Sequence, residues 1–128
     1  MKIAMIVVRT LMGLLFLFAS VTFLLNLIEP PPLPDGALKS FNEGLAASGY
    51  FFYVLKVTEL ICGILLVSGY FVPLALVVLA PIVVNIFLVH AFLAPEGLPI
   101  AIFVVIAEIF LAYYYRDAFK PLLRPKLA

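Results

Sequence analysis

Charge is scarce in this 128-residue sequence: Asp, Glu, Lys and Arg together make up 12% of it. A soluble domain carries about twice that share. Apolar residues make up 66% and the mean hydropathy is +1.28. A chain this short has too little interior to hide so much oily side chain. A soluble globular domain, a nucleic-acid binder and a disordered chain are therefore excluded. The one cysteine, Cys62, lies in an apolar run, which rules out an intrachain disulfide or a CxxC thiol relay. With one histidine, His90, a single chain cannot supply a bis-His haem or a multi-His metal site. Neither GxGxxG, nor a P-loop, nor HExxH occurs, so no nucleotide or zinc-protease motif is present.

What is there is oil in long runs. Apolar stretches cover residues 3–28, 50–68, 72–94 and 98–115. About 20 helical residues cross a hydrocarbon core, so each run is long enough, the first with tilt. Lipid tolerates no unpaired backbone, and these runs lack the alternation of a barrel, so helix is the only solution. The expected fold is all-α: a polytopic membrane protein, a four-transmembrane-helix antiparallel bundle forming one domain over 1–128. The first run is too long for a signal h-region and is read as an uncleaved span. Pro73 and Pro99 suit first helical turns. Pro81 falls inside the third run, where a kink is expected. Tyr50, Tyr53, Tyr70 and Tyr113 to Tyr115 sit at run ends, as interfacial rings do.

Four spans put both termini on one side. That side carries Lys2, Arg116, Lys120, Arg124 and Lys126 against Asp117. The other carries Glu29, Asp35, Glu43 and Glu96 against Lys39. The positive-inside rule then places both termini in the cytoplasm of a cell (inner) membrane protein. Residues 69–71 and 95–97 make tight turns, and residues 116–128 form a cytoplasmic tail. The outer loop, 29–49, opens with the stiff Pro30-Pro31-Pro32-Leu33-Pro34 stretch. Asp35 is placed to cap a short amphipathic helix whose apolar side is Ala37, Leu38, Phe41 and Leu45.

Arg9, Lys56, Glu59 and Glu108 are charged residues inside the runs, and their charges cancel. Facing lipid each costs a few kcal/mol, about 3 at mid-span, so inward pairing is expected. At about 1.5 Å per residue, Arg9 and Glu108 come out at similar depth, with Glu59 near the middle. The expectation is a buried layer of Arg9, Glu59 and Glu108, below an outer layer of Lys56, Asn85, His90 and Asn26. Lys56, Glu59 and Gly63 share one stripe, and Ala101, Val105, Glu108 and Ala112 another. Blander readings stand beside these. The charged layer serves as a clamp, Lys56 snorkels to the interface, and His90 is an interfacial histidine. Asn85 satisfies backbone freed by Pro81, Cys62 packs as a small apolar residue, and Gly13 and Gly63 allow close helix approach.

The residues from Arg9 to Gly13 resemble the RxxxG start of the DoxX family. The stretch Glu59-Leu-Ile-Cys-Gly63-Ile-Leu-Leu-Val-Ser-Gly69 is similar to its second-span signature. The run from Val72-Pro73 through Pro81, Asn85, His90 and Phe92 to Gly97-Leu98-Pro99 also reads like its members. The resemblance implies a four-helix membrane bundle associated with redox chemistry, with Arg9 and Glu59 in its polar core. Relatives are named for the membrane subunits of a thiosulfate:quinone oxidoreductase. Two functions follow as expectations. One is a quinone- or lipid-binding membrane subunit working with a redox partner protein. The other is a non-enzymatic anchor or assembly factor whose charged core is purely structural. No catalytic motif, metal site or covalently bound cofactor is expected. The lipid bilayer is the certain partner, nucleic acid is not one, and homo-oligomerisation stays open.

Overall fold

The computed structural model describes residues 1–27 and 32–125. Glu29, Pro30, Pro31 and Lys126, used above for loop stiffness and charge balance, lie outside them. Among the described residues six α-helices follow in order: α1 (Lys2–Leu24), α2 (Ala37–Ala47), α3 (Phe51–Ser68), α4 (Val72–Phe92), α5 (Leu98–Tyr114) and the single turn α6 (Arg116–Phe119). A short 3-10 turn at Pro95–Gly97 joins α4 to α5, another at Lys120–Leu123 follows α6, and there is no strand among the described residues. α1, α3, α4 and α5, the last taken with its preceding turn, are long and apolar enough to cross a membrane. The first run leaves the helix before residue 28. Leu25 ends α1, and Asn26 takes a left-handed φ of 52°, a conformation that Asn tolerates better than most residues.

α1 packs most closely on α3 and α4 on α5, with lighter α3–α4 and α1–α5 contacts. The ring order is thus α1, α3, α4, α5, each neighbour antiparallel to the next. Met12, Leu66, Leu76, Leu79 and Leu111 are fully buried at its centre. Outward faces stay apolar, with Phe18, Ile61 and Ile106 more than half exposed, as a bundle solvated by lipid requires.

The α1–α3 seam depends on two glycines that face each other. A Cβ on Gly13 would stand 3.0 Å from the Gly63 carbonyl oxygen, and one on Gly63 3.1 Å from that of Gly13. Lipid supplies no hydrophobic drive between helices, so such backbone proximity is what gains van der Waals contact. Further along the seam, Phe23 packs on Phe52 and Tyr53 with centroids 5.8 and 6.0 Å apart. Together these contacts set the register and bring Leu17 level with Glu59.

α3 ends in a left-handed Gly69 whose N–H donates to the Leu65 carbonyl at 2.9 Å, a conformation that costs glycine nothing. Pro73 occupies the first turn of α4 and Pro99 that of α5. α4 continues through Pro81 without a break. On α5 the buried stripe is Ala101, Val104, Ala107 and Leu111. The expected stripe through Val105 and Ala112 is therefore turned by about one residue, which leaves Glu108 at the edge of the buried face.

α2 is the amphipathic helix expected in the long loop. It lies against α3 and buries no residue fully. Asp35 does not cap it: the capping position falls on Gly36, one residue later, and the Asp35 carboxylate instead meets Lys39 Nζ at 3.1 Å. Tyr50, at the N-cap of α3, makes no side-chain cap bond, but Ser48 Oγ two residues earlier accepts the Phe51 N–H at 3.1 Å and so satisfies one of the orphan donors of that helix start.

Candidate functional site

A cavity of about 610 Å³ opens in the half of the bundle remote from the two chain ends. Every spanning helix contributes. α1 gives Leu15, Phe16 and Ala19, while α5 gives Ile100 and Val104. α3 and α4 give the polar groups, and α2 roofs it with Phe41, Asn42 and Leu45. The volume is that of a small-molecule site, and the mostly apolar wall with a few converging polar groups is the usual make-up of one.

Four of the seven charged or polar residues expected in the two layers meet there: Lys56, Glu59, Asn85 and His90. Lys56 and Glu59 are one helical turn apart on α3, so their side chains fall on one face. Lys56 Nζ lies 3.1 Å from Glu59 Oε2, with the lysine side chain 19% exposed and the glutamate 5%. The lysine therefore turns inward and does not snorkel. Its ammonium also stands 5.8 Å from the centroid of Phe23, where the ring face adds a weak cation attraction. This buried carboxylate oxygen thus has the Lys56 ammonium as its charge partner.

His90 is half-buried, and its Nδ1–H donates to the Ile86 carbonyl at 2.7 Å. A carbonyl can only accept, so in the neutral ring Nε2 keeps its lone pair. The ring packs against Gly97, where a Cβ would collide with it. The turn at Pro95–Gly97 thereby holds the imidazole at the cavity edge.

Arg9 and Glu108 are not among the lining residues, and the expected layer of Arg9, Glu59 and Glu108 does not form. The described ion pairs are Lys39 with Asp35 and Glu43, Lys56 with Glu59, and Lys120 with Asp117. The α1–α3 register is the reason. Arg9 lies against the end of α3, where a Cβ on Gly69 would stand 2.9 Å from its Nη1. Leu17, level with Glu59, is eight residues further along α1, or about 12 Å at 1.5 Å per residue. At the C-terminus of α3 the guanidinium meets the negative end of the helix dipole instead of a carboxylate. Glu108 sits on α5, diagonally across the ring from α3, with Oε1 buried and unpartnered among the described residues. Cys62 is 3% exposed and packs in the apolar core. Asn26 lies exposed beyond the end of α1 and does not line the cavity.

Sequence reasoning missed Asn42, which α2 adds to the lining. The signal was present in the amphipathic pattern of residues 37–45, but α2 could not be laid over one particular pair of spans from periodicity alone. The aromatic wall of Phe41, Phe51 and Phe52 was equally hidden inside runs that are oily throughout.

The fold and the cavity together define a class, a multi-pass integral membrane protein with an internal polar site. The DoxX sequence family matches residues 4–92, from the start of α1 to the end of α4, so every polar residue of the cavity falls within the match. The chain belongs to the DoxX family. No curated protein and no solved structure matches it.

Proposed function

We propose that this protein binds the head group of a quinone in the cavity, as the membrane subunit of a redox-associated complex. The observation that carries the reading is the convergence of Lys56, Glu59, Asn85 and His90 in one apolar cavity. One ammonium and one carboxylate 3.1 Å apart cancel, so the site offers hydrogen bonds without net charge. That suits a neutral head group better than an anionic phospholipid, which would call for surplus cations. The donor and acceptor inventory suits both redox states of such a head group. Quinone carbonyls only accept, and Lys56 and Asn85 donate. Quinol hydroxyls donate, and the Glu59 carboxylate and His90 Nε2 accept. Glu59 is also the group placed to hold or release a proton beside the bound ring. Electrons come from a partner protein in this reading. The excess of Lys2, Arg116, Lys120 and Arg124 at the chain-end side supports cytoplasmic termini in an inner membrane.

The test is extraction of the purified full-length protein in mild detergent, followed by mass spectrometry of its bound small molecules. Quinone at near-stoichiometric amounts in wild type, and its loss in a folded Glu59→Gln variant, is the expected result. Bound phospholipid in place of quinone, or quinone retained by Glu59→Gln, would overturn the assignment. The anchor reading, with the charges purely structural, is favoured by one observation and for one residue: Arg9 lies outside the cavity, against Gly69.

A further inference from the structure

The cavity has a side door. α4 buries Val72, Ala75, Leu76, Leu79 and Val83 toward the bundle centre. At 100° per residue, Pro81 lies about 175° from the middle of that face, and Asn85 about 135°. Residues so far round the helix belong to its outer surface, and both are exposed. Both nevertheless line the same cavity as the buried Glu59. A cavity that reaches the centre of the bundle and the outer flank of α4 must pass between α4 and a neighbour. That neighbour is α3, which supplies Lys56 and Glu59. The α3–α4 contact is much lighter than the α1–α3 contact, and the two helices are held together by the tight turn at their other end. Pro81 lies at the middle of the 21-residue α4, so the opening faces acyl chains and not head groups or water. From the aqueous side the route is different: α2 lies across the mouth with Phe41, Asn42 and Leu45.

From this placement we infer that the ligand is a membrane-dissolved amphiphile that enters and leaves sideways through the α3–α4 gap. Its polar head lies at Lys56 and Glu59, and its long apolar tail stays in the bilayer past Pro81. The inference rests on the head-group reading above but adds a route and a requirement for a tail. A water-soluble substrate would have to pass under α2 and would gain nothing from the opening.

The experiment uses the full chain in lipid nanodiscs and two benzoquinones with the same ring, one tail-less and one with a decyl tail ending in a diazirine. After irradiation, tail labels are expected on α4 around residues 78–85 and on the facing stretch of α3. Pro81→Trp places an indole in the gap. Helical side chains lean toward the N-terminus of their helix, here away from Lys56 and Asn85. The variant is expected to weaken the tailed quinone at least tenfold more than the tail-less one. Val84→Trp, on the exposed surface of α4 outside the cavity, is expected to bind both quinones as wild type does. Equal loss of both quinones in Pro81→Trp, or labels concentrated on α2, would overturn the side entry. If neither quinone binds the wild-type chain, the head-group reading falls, and a phospholipid with a diazirine-ended tail tests the opening alone. Labels on the same α3–α4 stretch would then sustain it, and even labelling of all four spans would overturn it.

Discussion

Substituting Gly13 by alanine adds one methyl group, and the structure says where it goes. The new carbon would stand 2.7 Å from Val67 Cγ2, 3.0 Å from the Gly63 carbonyl oxygen and 3.0 Å from Leu66 Cβ. Carbon–carbon contacts settle at about 3.5–4.0 Å. Val67 can turn, but the Gly63 carbonyl and the Leu66 Cβ are fixed to the backbone of α3. The helices must therefore separate by several tenths of an ångström along their closest seam. Overpacking of this kind costs about 1–3 kcal/mol. Alanine's better helix propensity does not offset it, because a spanning helix stays helical before and after it associates. The double variant Gly13→Ala/Gly63→Ala should cost less than the two singles together, since one separation relieves both clashes. Gly44→Ala serves as the control: nothing lies within 4 Å of its added carbon, and it sits on α2, where propensity gives up to about 1 kcal/mol in its favour. Reversible unfolding in mixed detergent micelles, followed by circular dichroism, measures all four. A Gly13→Ala protein as stable as wild type, or strictly additive singles, would refute the claim that the α1–α3 seam rests on backbone proximity.

Lys56→Met alone leaves a nearly buried Glu59 carboxylate without its cation and should cost about 3 kcal/mol in insertion or folding, whereas Lys56→Met/Glu59→Leu removes both charges and should recover most of it; yields of membrane-inserted protein measure the difference, and a double variant worse than the single would contradict it. Arg9→Met should lose about 0.3–1 kcal/mol from the α3 terminus, and its effect should simply add to that of Glu59→Gln, because the two residues share no contact; a measurable coupling between them in a double-mutant cycle would restore the ion pair that the register excludes. Asp117 is held below the ordinary carboxylate value of 3.8, first by the hydrogen bond from Lys120 and then by its charge. A carboxyl with a lowered value in the folded chain favours folding above its ordinary range, and that contribution disappears as the pH falls through the lowered value. Melting curves of Asp117→Asn should therefore converge on those of wild type as the pH falls below the ordinary carboxylate range, with any difference confined to higher pH, and a gap that opens instead on acidification would reverse the sign.

Most of the fold was legible because lipid leaves a chain few choices. Apolar runs of fixed length, prolines at first turns and the glycine at residue 69 each follow from a local requirement, and each helix lies within a few residues of its run. The site was legible only in part, and Arg9 shows why. Depth counted from helix ends assumes that each span begins at the same plane, and on that count Arg9, Glu59 and Glu108 share a layer. Register between helices is set by a different quantity, the shape of the surfaces that meet. The two facing glycines place Arg9 at Gly69, a whole cavity's depth from Glu59. Lys56 and Glu59, by contrast, lie on one helix, where spacing alone decides, and their pairing was readable from i, i+3. Charges on one helix can thus be paired from sequence, whereas charges on different helices can be paired only once the small residues that set the seam are known.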